Sequence, residues 1–258
     1  MSSEAAENES ADRKLVTPGT MIATGRDYRP GECTFREGDS IYSSVIGLAD
    51  VRRSSVRVIP LRGAYIPKSG DRVIGLVKEI QFMGWMAYIR SPTPGIMKVS
   101  EVPYNFDLIH GSLEDILSVG TLIYAEVLSV SEFMQIKLTM NHPDLRKLVG
   151  GNIFSISPSK VPRLIGRKGS MISMLKQAIS RDILVGQNGI IWTRCNDDKK
   201  IGVFKEILQK IETEAHLSGL TNRIKILLKE EVGIEEFREV DSGREKTRRK
   251  RPRRTKTH

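Results

Sequence analysis

Cysteine is nearly absent from this chain: two in 258 residues, Cys33 and Cys195, lying 162 positions apart. Without a CxxC pair, neither a thiolate zinc ribbon nor a disulfide framework is expected. No apolar run approaches the ~18 residues of a membrane helix, so no membrane partner is expected. The N-terminus, MSSEAAENESADRK, is acidic and Ser-rich rather than a secretory signal. An intracellular, cytoplasmic protein is therefore expected. The four histidines, His110, His142, His216 and His258, form no HxxxH and lie near no Cys in sequence. No G-x-x-x-x-G-K-[ST] phosphate loop occurs. The acidic pairs Asp197-Asp198, Glu230-Glu231 and Glu235-Glu236 are adjacent in sequence. Neighbours in a strand point apart, whereas two-metal chemistry needs carboxylates that converge. No catalytic residue, metal or cofactor is expected.

Positive charge is plentiful. Lys+Arg number 41 against 31 Asp+Glu, a formal +10. Residues 243–258, GREKTRRKRPRRTKTH, carry nine of those bases and one acid, so most of the excess sits in a tail. A run of like charge without apolar residues predicts a disordered end. Residues 70–143 are net −3, whereas residues 144–200 hold 11 bases and 4 acids, a net +7. That second excess falls where a packed domain can hold it in one place, which is the more specific electrostatic signal.

The hydrophobic pattern changes along the chain. Residues 15–69 alternate short β-branched runs (40–46, 55–60) with turn signals such as Pro18-Gly19 and Pro30-Gly31, which predicts a small all-β unit of hairpins. Residues 70–143 predict strands at 73–80, 85–90 and 122–130, and Met134, Ile136 and Leu138 alternate with polar neighbours at a period of two. Around five strands in such a length suit a small closed barrel of the OB type. From residue 144 the order becomes strand (153–156), helix, helix, strand (183–185), strand (190–195), helix, the two strands joined by Gly186-Gln187-Asn188-Gly189. The fold class expected is multidomain: an N-terminal β unit (15–69), an OB-type five-stranded barrel (70–143) and an α+β KH domain (144–217). Around these lie an acidic N-terminus (1–14), a helical extension (218–242) started by Thr221 or Asn222, and the basic tail (243–258).

The sharpest motif is VPRLIGRKGSMI, residues 161–172. Gly166 and Gly169 let the backbone turn tightly and approach a ligand. Arg167 and Lys168 project between them, and a helix beginning near Ser170 aims free N–H groups at the loop. Such a combination clamps a nucleic-acid backbone, and it resembles the GXXG loop of KH domains, which grips about four nucleotides of single strand. In the barrel, Gly70-Asp71-x-Val73-x-Gly75-x-Val77 and Met83-Gly84-Trp85 resemble the ribosomal-protein-S-one type of RNA-binding OB fold, with Met83 at the usual first aromatic position and Lys98 at a usual His. Candidate RNA contacts are therefore Arg163, Gly166, Arg167, Lys168, Gly169, Ser170, Gly186, Gln187, Asn188 and Gly189. In the barrel they are Trp85, Tyr88, Arg90, Lys98 and the loop residues Tyr104 and Phe106.

The module order, together with VTPGT (16–20), GECTFREGDSIYSSVIG (31–47), YIPKSGDRVIG (65–75) and GQNGIIW (186–192), resembles the RNA-binding cap subunit of the archaeal exosome, the ribosomal-RNA-processing protein four family. The resemblance implies a non-catalytic protein that captures single-stranded RNA and feeds its 3′ end into a hexameric ring of phosphorolytic RNase-PH-like subunits. It also implies three cap copies per ring, docking through the N-terminal unit, and a zinc-ribbon cap sister as a further partner. The alternatives are a transcription or translation factor built from OB and KH parts, and a ribonuclease with its own active site. The first would often carry a second KH domain, for which residues 218–258 are too few; the second has no room for a catalytic domain.

Overall fold

The computed structural model describes residues 14–52, 54–61, 63–103, 112–214 and 219–233. The N-terminal unit consists of β1 (Leu15–Val16), β2 (Met21–Thr24), β3 (Arg29–Pro30), β4 (Thr34–Glu37), β5 (Ser40–Ser43), β6 (Gly47–Arg52) and β7 (Ser55–Pro60). They form two small sheets, β1-β6-β7-β3 and β2-β5-β4, around Val16, Ala49 and Val58. In the β6–β7 hairpin Asp50 stands directly across from Arg57. The Asp50 carboxylate is buried and accepts from Arg57 Nε at 2.9 Å and Nη2 at 2.8 Å, with Arg52 Nε at 3.3 Å. The Arg57 hydrogen bonds hold this carboxyl below the usual carboxylate range, against the cost of its burial.

Next come β8 (Arg72–Gln81), β9 (Gly84–Tyr88), β10 (Gly95–Lys98), α1 (Leu113–Ile116), β11 (Leu122–Val130) and β12 (Ile136–Thr139). Their order is β12-β10-β9-β8-β11, and antiparallel β11–β12 pairing closes the circle, with β10 and β12 parallel. This is the closed OB arrangement. Register shifts after Val77 and Val127 bend the two longest strands so that each can pair on both sides. The period of two at residues 134–139 is realised in β12, where Ile136 and Leu138 point inward and Lys137 outward. A further strand, β13 (Arg146–Leu148), pairs with β11, so the barrel sheet runs past the expected boundary at 143.

The KH domain follows as β14 (Asn152–Ser155), α2 (Val161–Ile165), α3 (Ser170–Ala178), β15 (Ile183–Val185), β16 (Ile190–Thr193) and α4 (Asp198–Glu214). Its sheet is antiparallel in the order β14-β16-β15. The last element, α5 (Leu220–Val232), starts with Gly219 as its N-cap, not with a side-chain cap from Thr221 or Asn222. Its Leu220, Ile224, Leu227 and Leu228 join the KH core, so the segment read as a separate extension completes this domain.

The alternation of strands explains how barrel and KH domain are joined. Ile183, Val185 and Ile191 face the KH helices, while Leu184, Ile190 and Trp192 face the other way, into the barrel's own core cluster. The β15–β16 part of the KH sheet is thus covered on both faces, whereas Ile153 of β14 is 53% exposed. The same burial removes the period of two from the first half of β8, where Val73, Ile74 and Gly75 are buried in succession. The sharpest contact is Asn188, fully buried in the turn between β15 and β16. Its Nδ2 donates to Ile74 O at 2.7 Å and Ile89 O at 2.8 Å, and Gln187 N donates to Arg72 O at 2.8 Å.

Candidate nucleic-acid interface

The Gly166–Gly169 loop is built by backbone conformation before any ligand arrives. Gly166 closes α2 at φ 77° and ψ 173°, and a Cβ there would lie 2.7 Å from Met171 Cβ. Only glycine fits both the dihedral and the space. Lys168 lies in the left-handed region at φ 53°, ψ 27°, an uncommon place for a residue with a Cβ and one found at ligand clamps. Gly169 follows at φ 78°, and α3 begins at Ser170 as the sequence predicts. Arg163, Arg167, Lys168 and Ser170 are exposed, and among the described residues neither arginine nor the lysine has a hydrogen-bonding or charged side-chain partner.

Arg163, Arg167 and Lys168 lie at the start of α3. The four acids of residues 144–200 are Asp144, Asp182, Asp197 and Asp198, and among the described residues none of them pairs with those three cations. Arg146 meets Asp182 at 3.8 Å, Arg72 meets Asp144 at 3.1 Å, and Asp197 Oδ1 accepts from Lys199 N at the start of α4. The cations beside the loop are therefore left uncompensated by their own stretch of chain, which strengthens the local potential for an anion.

On the barrel the outcome differs from residue to residue. Trp85 was expected to touch RNA; it is fully buried in the barrel core, and its Nε1 donates to Leu117 O at 2.9 Å. It offers no stacking face. Asn188, Gly186 and Gly189 are buried in the seam with the barrel, with Gln187 beside them, so this turn is a brace rather than an RNA surface. Arg90 donates from Nη1 to Ile156 O at 3.0 Å and ties barrel to KH domain. Tyr88 and Lys98 remain outside: Tyr88 is 48% exposed and Lys98 is exposed at the end of β10. Tyr104, Phe106, the N-terminal acidic segment and the basic tail lie outside the described residues.

Two aromatics that sequence reasoning passed over stand out. Phe82, in the β8–β9 turn, is 98% exposed, and Phe133, in the β11–β12 turn, is 87% exposed. Gly84 pairs with Lys98 and Ile136 with Gly95, so the two turns flank opposite ends of β10. Between them the outer face carries a cross-strand row, Met86, Ile96 and Lys137, with Lys98 and Tyr88 nearby. Met83 beside Phe82 is also exposed. The available signal was an aromatic residue at each hairpin turn, where no core position could claim it.

A small β unit, a closed OB barrel and a KH domain braced against that barrel, with an unpaired basic loop on one and exposed aromatic turns on the other, define a multidomain nucleic-acid-binding type of protein. The comparisons are specific. A family model described as the exosome RNA binding protein RRP4 N-terminal domain matches residues 13–62, and a KH domain model matches residues 151–199. The exosome complex component Rrp4 of Methanothermus fervidus is 46% identical over 214 residues, covering 83% of this chain and 94% of the relative. That of Thermococcus kodakarensis is 41% identical over 239 residues, covering 89% and 93%. A crystal structure presented as a candidate exosome complex RNA-binding protein aligns with a TM-score of 0.58 at 34% identity, over 67% of this chain and all of that one. The chain belongs to the exosome complex component Rrp4 family.

Proposed function

We propose that this protein is a non-catalytic cap subunit of an exosome, which captures single-stranded RNA and passes its 3′ end to a phosphorolytic ring. The observation that carries the reading is the pairing of two unlike RNA-holding devices on one braced scaffold. The loop of Arg167 and Lys168 supplies charge for phosphates, and Phe82 and Phe133 supply faces for bases. The N-terminal unit docks on the ring; the row Met21, Tyr42 and Phe35, in register on one face of β2-β5-β4, presents apolar surface for that contact. The barrel segment is net −3 and adds no net cationic attraction, so several copies around one pore raise the effective concentration of contacts.

The test is reconstitution with the RNase-PH-like ring from a related archaeon. The isolated chain degrades no RNA with or without phosphate; added to the ring, it raises the affinity for single-stranded substrate. Arg167→Ala with Lys168→Ala weakens that capture and lowers the slope of log affinity against log salt by about 1.4 if two phosphate contacts are lost. Phosphate-dependent degradation by the chain alone, or failure to associate with the ring, would overturn the proposal.

A further inference from the structure

A cleft of about 270 Å³ opens behind the Gly166–Gly169 loop, on the side of α5 rather than of the KH sheet. Arg163 from α2, Arg167 from the loop, Ser170 from α3 and Thr221 from α5 line it, over an apolar floor that includes Met171 and Leu220. No carboxylate among the described residues lines the cleft. Among the described residues, none of the four polar side chains has a hydrogen-bond or charged partner. Two guanidinium groups and two hydroxyls on one small concavity make a donor set for a tetrahedral oxyanion, and arginine's planar fork suits phosphate. The volume lies just below the ~300–1,000 Å³ of drug-sized sites, which suits a phosphate and its sugar rather than a larger ligand. Ile224 and Leu228 are fully buried in the KH core, so Thr221 is carried on a fixed scaffold rather than on a free end.

We propose that this cleft is a second phosphate pocket for the RNA strand, so that α5 is part of the RNA-holding surface. A strand whose phosphates cross the Gly-framed loop places the next phosphate against Arg163 and Thr221. The pocket rests on the reading of the loop as an RNA clamp.

The test uses the full chain and a 12-nucleotide single-stranded RNA, with inorganic phosphate as a separate probe. Thr221→Val removes one hydroxyl at constant shape and weakens RNA binding about threefold, and Thr221→Ser restores it. Arg163→Gln weakens binding about tenfold and lowers the salt slope by about 0.7, the value for one phosphate contact on a single strand. Saturating inorganic phosphate shifts the Thr221 and Ser170 amide resonances and competes with RNA. If Arg167→Ala with Lys168→Ala loses RNA while Thr221→Val and Arg163→Gln bind as the parent does, the pocket is wrong and the clamp stands. If phosphate shifts these resonances but the two cleft variants leave RNA binding unchanged, the cleft is a free-phosphate site and the proposal is overturned. If none of the variants changes RNA binding, clamp and pocket fall together.

Discussion

Asn188→Ala tests the brace between barrel and KH domain. The side chain is fully buried and makes two short hydrogen bonds, 2.7 Å to Ile74 O and 2.8 Å to Ile89 O, plus a longer one, 3.4 Å from Ile74 N. Truncation removes the donor from two carbonyls that water cannot easily reach. Each buried group left without its partner costs about 1–3 kcal/mol, so about 3–5 kcal/mol is expected for the pair together. For a chain of this size each kcal/mol moves the midpoint by about 2–4 °C, which predicts a fall of roughly 6–20 °C. Because these bonds cross between domains, the loss also uncouples them. Calorimetry should show the transition broadening or splitting, with the KH part melting first. Asn188→Asp should be worse at neutral pH, since a carboxylate would face two carbonyl oxygens, and should recover partly in acid as it becomes protonated. A single transition within about 1 kcal/mol of the parent for Asn188→Ala would refute the brace.

Other expectations separate binding from folding. Phe82→Ala and Phe133→Ala should each weaken RNA binding by about 1–3 kcal/mol if each face stacks one base, while thermal midpoints stay unchanged, because both rings stand in solvent; unchanged affinity in a fluorescence titration would remove them from the site. Gly166→Ala should destabilise the KH domain by about 1–3 kcal/mol, since it forces a Cβ into positive φ and against Met171; a urea midpoint equal to the parent's would contradict this. The Asp50 carboxyl has a folded pKa below its ordinary 3.8, so its pairing stabilises the fold above the ordinary value and is lost as pH falls through the lower one. Asp50→Asn should therefore cost stability at pH 6 and much less near pH 2, read from urea midpoints at both.

Much of the architecture was legible before any coordinate. Alternation at 134–139, the helical spacing of Met171 and Leu175, and the Gly-framed loop all report short-range geometry that a linear chain carries in its own residues. The backbone turn at Gly166 and Gly169 and the start of α3 were legible because these residues are neighbours in sequence; the RNA-holding role of the loop is the proposal. What escaped was long-range. The period of two cannot say that Trp85 points inward and Tyr88 outward until the closure of β11 on β12 defines an inside. Nor can it say that a turn rich in glycine and asparagine is buried: Asn188 lies 114 positions from Ile74, and only their meeting turns a candidate RNA contact into a brace. The same holds for charge. Composition located an excess of seven in residues 144–200, but only the fold shows that Asp144 and Asp182 pair with arginines elsewhere and leave Arg163, Arg167 and Lys168 without a charged partner among the described residues. The sequence by itself determined the modules, their order and the Gly-framed loop. Tertiary structure decided which polar and aromatic residues face water, because exposure is set by what the folded chain brings alongside each residue and not by the residue's own chemistry.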